Sequence, residues 1–250
     1  MKKIIAVTNQ KGGVGKTTTA LSLLGALRLR GYRVLGVDLD PQGSLGFSAG
    51  MDIENSVTVY DVLKGKHSVT EAITKTEIGD ILPSNILLST AELEFNVPGR
   101  EFLLKNQLDQ IRDRYDFIVI DTPPALNVLT VNAYVAAEGL IIPMAPEILS
   151  LLGISQIRET VDTVRKYYNP GLEVLGILLN RYSLRLILNR EVEDMAKSIA
   201  KSLNTKVFHT KIRSGVAVAE SPAHGESVIT YAPKSKPALD FQALVNELLQ

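Results

Sequence analysis

The apolar run Ile4-Ile5-Ala6-Val7 leads within a few residues into Lys11-Gly12-Gly13-Val14-Gly15-Lys16-Thr17-Thr18, and this junction constrains the chain more than any other segment. A glycine-rich segment between a buried strand and a helix turns its backbone N–H groups onto a polyphosphate, and the helix dipole favours the negative charge. Lys16 is expected to reach the β- and γ-phosphates and the Thr17 hydroxyl to ligate Mg²⁺. Gly12, Gly13, Val14, Gly15 and Thr18 complete the cradle. The general pattern G-x-x-x-x-G-K-[ST] wants glycine where this chain has Gln10, and a second lysine, Lys11, stands at the front of the loop. Strand, three glycines, Lys-Thr-Thr and helix together specify a nucleotide site rather than a plain glycine-rich turn.

Further apolar runs follow at 33–38, 117–121, 139–144 and 172–179. They are continuous rather than alternating, as strands buried on both faces of a parallel sheet should be. Helical spacing separates them at 16–30, 102–114, 126–136, 151–167 and 190–203. The alternation predicts an α/β fold, a doubly wound and mostly parallel sheet with helices on both faces and ligands at the carboxyl ends of the strands. Residues 46–100 read as loops and short helices over one edge. Residues 237–249 read as a final amphipathic helix docked on the core, lacking the cationic face of a membrane-surface helix.

With 250 residues and 45% hydrophobic composition, a single α/β domain over 1–250 is expected, with no separate N-terminal DNA-binding domain. No membrane span or signal peptide is expected, so the prediction is a cytoplasmic protein. The chain has no cysteine, which excludes thiolate metal sites and iron–sulfur ligation by its own residues. Lys+Arg and Asp+Glu both number 27, so net charge gives no hint of nucleic acid; between Arg181 and Lys236, however, ten basic residues face five acidic ones.

Asp121 closes an apolar strand before Thr122-Pro123-Pro124. There it suits Mg²⁺ coordination, direct or through water, with a helix N-cap as the plainer alternative. Asp38-Leu39-Asp40-Pro41-Gln42 ends another strand. Asp40 is assigned to orienting or activating water and Asp38 to holding metal-bound waters, against the alternative of an Asp-Pro turn. Lys11 has no evident task in its own site, because Lys16 already serves the phosphates. It can instead reach the γ-phosphate of a second subunit, making nucleotide the glue of a homodimer, or it is simply an exposed lysine. The three assigned catalytic residues are therefore Lys11, Lys16 and Asp40.

These motifs resemble the deviant Walker A family of ATPases, the ParA/MinD group, and more narrowly its ParA/Soj-type DNA-partition members. The resemblance runs through residues 8–19, 38–43 and 120–124 to Ser221-Pro222-Ala223-His224-Gly225 and Tyr231-Ala232-Pro233-Lys234-Ser235-Lys236. It implies an ATP-sandwich dimer with Lys11 as signature lysine and Asp40 needed for hydrolysis. It further implies nonspecific DNA binding near the nucleoid and a ParB-type partner that stimulates hydrolysis. The resemblance suggests Asn180 as the adenine reader, with strand-end turn chemistry as its alternative, and Ile212 and Arg213 as the loop over the base. Arg185 and Arg213 sit where the family meets the DNA backbone, and Lys206, Lys211, Lys234 and Lys236 can add to that surface. The chain departs from the family at Asn180-Arg181-Tyr182-Ser183 and at Lys211-Ile212-Arg213. Alternatives are a membrane-surface regulator of the MinD type, a positioner of protein cargo, and a metabolic ligase or reductase built on the same loop.

Overall fold

Seven strands form one sheet in the order β3-β4-β2-β5-β1-β6-β7. They are β1 (Ile4–Val7), β2 (Val34–Asp38), β3 (Thr74–Lys75), β4 (Asp80–Leu82), β5 (Phe117–Asp121), β6 (Gly139–Met144) and β7 (Glu173–Leu179). All neighbours pair in parallel except β3 with β4 at the edge. The computed structural model describes residues 3–145, 154–182 and 187–250.

Each strand of the middle is apolar on both sides because each side has a helical layer to meet. Ile4 and Ala6 of β1 enter one core, and Ile5 and Val7 the other. The first core lies under α3 (Val59–Leu63), α6 (Leu103–Leu108), α7 (Val128–Ala136), α8 (Ile154–Tyr167) and α9 (Ile187–Ser202). The second lies under α1 (Lys16–Leu29), α11 (Val228–Tyr231) and α12 (Lys236–Leu249). Four further short helices lie among the described residues: α2 (Ser44–Ser48), α4 (Val69–Ala72), α5 (Ala91–Glu94) and α10 (Ala217–Glu220). α12 buries Phe241, Leu244 and Val245, and Ser235 caps it by accepting from the Ala238 N–H.

Two expectations need correction. The segment 46–100 does not only cover the edge: it supplies β3 and β4, and β4 pairs with β2 from Leu35–Asp80 to Val37–Leu82. A three-residue strand is too short to show a periodicity. The helix expected over 102–114 ends at Leu108 and resumes as a single turn at Arg112–Arg114. Leu104, Leu108 and Ile111 are all buried, so one apolar stripe runs across the break and hides it. α9 starts about a turn before the expected Arg190, and residues 151–153 of the expected α8 lie outside the described set.

The chain leaves β1 through α1 toward β2 on one side and leaves β6 through α8 toward β7 on the other, so the crossovers diverge where β1 and β6 lie side by side. In a doubly wound sheet that divergence opens the ligand crevice at the carboxyl ends of the strands.

Phe241 is wholly buried between α12 and the sheet. Phe241→Ala is expected to cost about 3–5 kcal/mol of stability, read as a lower urea midpoint at unchanged m-value.

Candidate nucleotide site

Strand register assembles the site. Val7 pairs with Asp121, and Asp121 with Asp38, so the ends of β1, β5 and β2 lie abreast. The glycine-rich loop follows Val7 and therefore lies beside Asp121, with Asp38 one strand further away.

The loop is anchored before it turns. Asn9 is buried; its Nδ2 donates to the Pro143 carbonyl at 2.8 Å, and its Oδ1 accepts the Lys11 N–H at 3.0 Å. Lys16 Nζ spans the loop to the Lys11 carbonyl at 3.2 Å. Gly13 and Gly15 have φ of 75° and 89°, left-handed values that favour glycine. Gly15 is the N-cap of α1, where no side chain caps the helix and no acid sits in the first turn. The first amides of a fourteen-residue helix therefore face the crevice with the positive end of its dipole. Val14 is buried, Thr17 and Thr18 are half-buried, and a Cβ built on Gly12 or Gly13 would meet nothing within 4 Å.

Burial pulls the Lys16 pKa down, and Asp121 and Asp40 push it back up. Asp121 is fully buried, and neither carboxylate oxygen has a hydrogen bond of ordinary geometry among the described residues. Burial raises its pKa to about 7; the nearby Thr17 hydroxyl and Lys16 ammonium favour the charged form, and Asp40 opposes it. An orphaned buried carboxylate beside a threonine hydroxyl is an oxygen donor set suited to Mg²⁺. Among the described residues no three His, Cys, Asp or Glu side chains converge on a metal. Remaining ligands would come from phosphate and water, as Mg²⁺ prefers.

Asp38 is also fully buried, and burial and then Asp121 hold its pKa well above the ordinary range. One oxygen accepts the Asp40 N–H at 3.0 Å, and the other accepts the Leu45 N–H at 2.9 Å at the start of α2. It thereby fixes the loop that carries Asp40. The Asp-Pro turn is present: Asp40 Oδ1 accepts the Gln42 N–H at 3.0 Å, and its carbonyl accepts the Gly43 N–H at 2.9 Å. The second carboxylate oxygen of Asp40 has no hydrogen bond among the described residues, and Asp40 remains half-buried near Lys16.

A cavity of about 680 Å³ opens beside the loop, lined by Gly15, Thr18, Asn180, Ile212, Arg213 and Phe241 among others. Asn180 is buried and clasps the loop: its Nδ2 donates to the Val14 carbonyl at 2.9 Å and to Thr19 Oγ1 at 3.2 Å. A carbonyl can only accept, so this contact fixes which way the amide faces. Asn180 Oδ1 is buried with no partner among the described residues, which suits an exocyclic amine donor. Ile212 is tied to the strand end by its N–H to the Leu179 carbonyl at 2.9 Å and by its carbonyl to the Tyr182 N–H at 2.9 Å.

The basic residues divide. Arg213 forks onto Asp240 of α12, Nε to Oδ2 at 2.8 Å and backbone N–H to Oδ2 at 2.9 Å. Lys211 pairs with Glu193 and lies 4.6 Å from the Tyr182 ring centroid. Lys206 pairs with Glu247 at 3.5 Å. Lys234 and Lys236 are exposed at the start of α12. Arg185 lies outside the described residues.

Three contributors carry no mark in the sequence reading: Asn9 as loop anchor, Thr19 as partner of Asn180, and Asp240 as holder of Arg213. The Asn-Gln before Lys11 was the one available signal for Asn9; the other two depend on tertiary pairing across more than 20 residues.

A family model for the AAA domain matches residues 2–174. The chain is 40% identical over 255 residues to the sporulation initiation inhibitor protein Soj of Bacillus subtilis, covering 99% of this chain and 98% of Soj. It is 38% identical over 253 residues to the chromosome partitioning protein ParA of Caulobacter vibrioides, covering 99% and 94%. A solved structure of cobyrinic acid a,c-diamide synthase from Mycobacterium smegmatis, with bound ATP analog and magnesium, matches at a TM-score of 0.87. That pair is 36% identical, covering 100% of this chain and 95% of the other.

Two outcomes follow from the geometry. An aspartate whose folded pKa lies above its unfolded value near 3.8 contributes stability that is full below the unfolded value and lost as pH rises through about 7. With no divalent cation added, Tm is expected to fall as pH rises through neutrality. Asp121→Asn should flatten that slope in a thermal-melt series across pH. A Cβ at Gly15 would lie 2.7 Å from Asn180 Nδ2 at a left-handed φ. Gly15→Ala is therefore expected to weaken nucleotide binding at least about tenfold by calorimetry.

Proposed function

We infer that this chain, which belongs to the ParA/MinD-type family of P-loop ATPases, is an ATP-dependent DNA-partition ATPase acting on plasmid or chromosome. The observation that carries this reading is the two-lysine loop with an open front at Gly12 and Gly13, backed by the orphaned carboxylate of Asp121. The loop amides and Lys16 would hold the β- and γ-phosphates of ATP, with Asn180 Oδ1 accepting from the adenine amine. Thr17 and Asp121 would hold Mg²⁺, with Asp38 ordering its waters. Held there by Thr17 and Asp121, Mg²⁺ would supply positive charge against the charge that develops on the phosphates.

Asp40 orients the attacking water with its open carboxylate oxygen while its other oxygen keeps the turn rigid. The bond from water oxygen to the γ-phosphorus forms, the bond to ADP breaks, and phosphate and a proton leave. Lys11 of one protomer reaches the γ-phosphate held by a second copy, so ATP closes a sandwich dimer and hydrolysis reopens it. The closed dimer binds DNA through phosphate contacts from Lys234, Lys236, Arg185 and the exposed edges of Arg213 and Lys211, without sequence preference. A ParB-type partner stimulates hydrolysis, and the dimer works on the nucleoid in the cytoplasm.

The apolar face of α12 is buried in the core, which weighs against a lipid-binding role for that helix. Among the described residues no helix is long and apolar enough to cross a membrane. A second reading, ATP-driven amide formation, draws on the name of the Mycobacterium smegmatis synthase. It predicts ATP turnover only when a carboxylate substrate is supplied, whereas the partition reading predicts turnover raised by DNA and partner.

Lys11→Ala is expected to keep nucleotide affinity within about threefold while ATP-dependent DNA binding falls at least about tenfold, measured by calorimetry and fluorescence anisotropy. Asp40→Ala is expected to slow hydrolysis by about 100-fold or more and to leave a DNA-bound dimer. Equal DNA affinity of the unaltered protein with ADP and with ATP would falsify the switch.

A further inference from the structure

At the opposite end of the sheet from the nucleotide loop, a cleft of about 400 Å³ is lined by Arg28, Arg33, Thr70, Lys75, Asp80 and Arg114 among others. Its walls come from the last turn of α1, the starts of β2 and β4, the edge strand β3 and the turn before β5. α1 alone rises about 21 Å over its fourteen residues, so this cleft and the phosphate loop are well separated.

The charges here are not balanced locally. Arg33 is committed to Asp116, with Nη2 to Oδ1 at 2.8 Å and backbone N–H to Oδ2 at 2.8 Å. The single acid in the lining, Asp80, accepts from the Tyr115 hydroxyl at 2.8 Å. Arg28 and Lys75 are exposed and have no partner among the described residues. Arg114 reaches only the Thr70 hydroxyl, at 3.4 Å. Arg28 complements the helix dipole of α1, but Lys75 on an edge strand and Arg114 before β5 have no such role. Arg28, Lys75 and Arg114 come from three separate elements around one concavity whose single lining acid, Asp80, lies opposite Lys75; the balance is positive, and the concave wall focuses its field outward. Arginine forks and a lysine ammonium are the groups that hold phosphoryl oxygens.

We propose that this cleft binds a small anion carrying two phosphoryl groups, a second phosphate site independent of the nucleotide loop. One phosphoryl group leaves part of the charge unmatched; two, spread over the cleft, can engage Arg28, Lys75 and Arg114 together. The lining therefore sets four cations against one carboxylate, Asp80, which accepts the Tyr115 hydroxyl and lies opposite Lys75 in the strand pair.

The test is a titration of the full isotope-labelled chain with sodium pyrophosphate, free of divalent cations, followed by amide chemical shifts. Location separates the sites: binding at the loop moves Gly12–Thr18, and binding at the cleft moves residues around Arg28, Thr70, Lys75 and Arg114. We expect both sets to move, each saturating on its own curve. In Lys75→Glu/Arg114→Glu the cleft curve should weaken by at least about tenfold while the loop curve stays. Lys75→Gln/Arg114→Gln, a milder change at exposed positions, should weaken it less. Shifts confined to the loop, or cleft shifts indifferent to both variants, would overturn the proposal. So would a short DNA duplex that binds this cleft when pyrophosphate does not. Because loop and cleft are read separately, loss of the cleft signal leaves the nucleotide reading standing, and the reverse also holds.

Discussion

A carboxylate taken wholly out of water, with no hydrogen bond of ordinary geometry among the described residues, is costly to bury, and the site is arranged around it. Asp121 sits at the end of β5 with Val7 on one side and Asp38 on the other. Burial and then Asp121 push Asp38 toward the neutral form, and burial with Asp40 pushes Asp121 the same way. Hydrogen bonding separates their fates. Asp38 takes backbone amides on both oxygens and becomes a fixture of the turn that carries Asp40. Asp121 takes none of ordinary geometry and leaves both oxygens open to a cation that binds. The fold thus stores a demand for positive charge at the point where the phosphate loop begins.

The loop itself is held from two sides by asparagines. Asn9 ties its start to the end of β6, and Asn180 at the end of β7 ties its far turn through the Val14 carbonyl. Gly15 has to be glycine twice over, once for its left-handed backbone and once because Asn180 occupies the place of a side chain. One residue therefore joins the phosphate cradle to the base cavity. A change at Asn180 is felt in both, because its Nδ2 holds the loop while its Oδ1 faces a ligand.

The strongest sequence signals were those written in contiguous residues. β5 and β6 coincide with their apolar runs, and the loop glycines announce their own backbone angles. The edge was illegible because β3 and β4 have two and three residues, and pairing with β2 rather than intrinsic pattern makes them strands. The break in the 102–114 helix was hidden by a buried stripe that continues through it. Side-chain partnerships were the deepest blind spot. Nothing near Arg213 in the chain says that Asp240 will hold it, and nothing near Lys211 names Glu193.

Those pairings change what the basic stretch 181–236 means. A count of ten cations against five acids suggests a positive face, yet Lys206, Lys211 and Arg213 each lean on an acid from α9 or α12. Of the lysines proposed for DNA, Lys234 and Lys236 are the exposed pair at the start of α12. A protomer with so few committed phosphate contacts would hold DNA weakly at physiological salt, since affinity and its salt slope both scale with the number of phosphates neutralised. Two protomers side by side double that number, and the gain in binding free energy roughly doubles with it. A modest basic surface is therefore better suited to a switch than a strong one. Under the partition reading proposed above, dimer formation rather than the charge of a single chain would then decide whether the protein is on DNA.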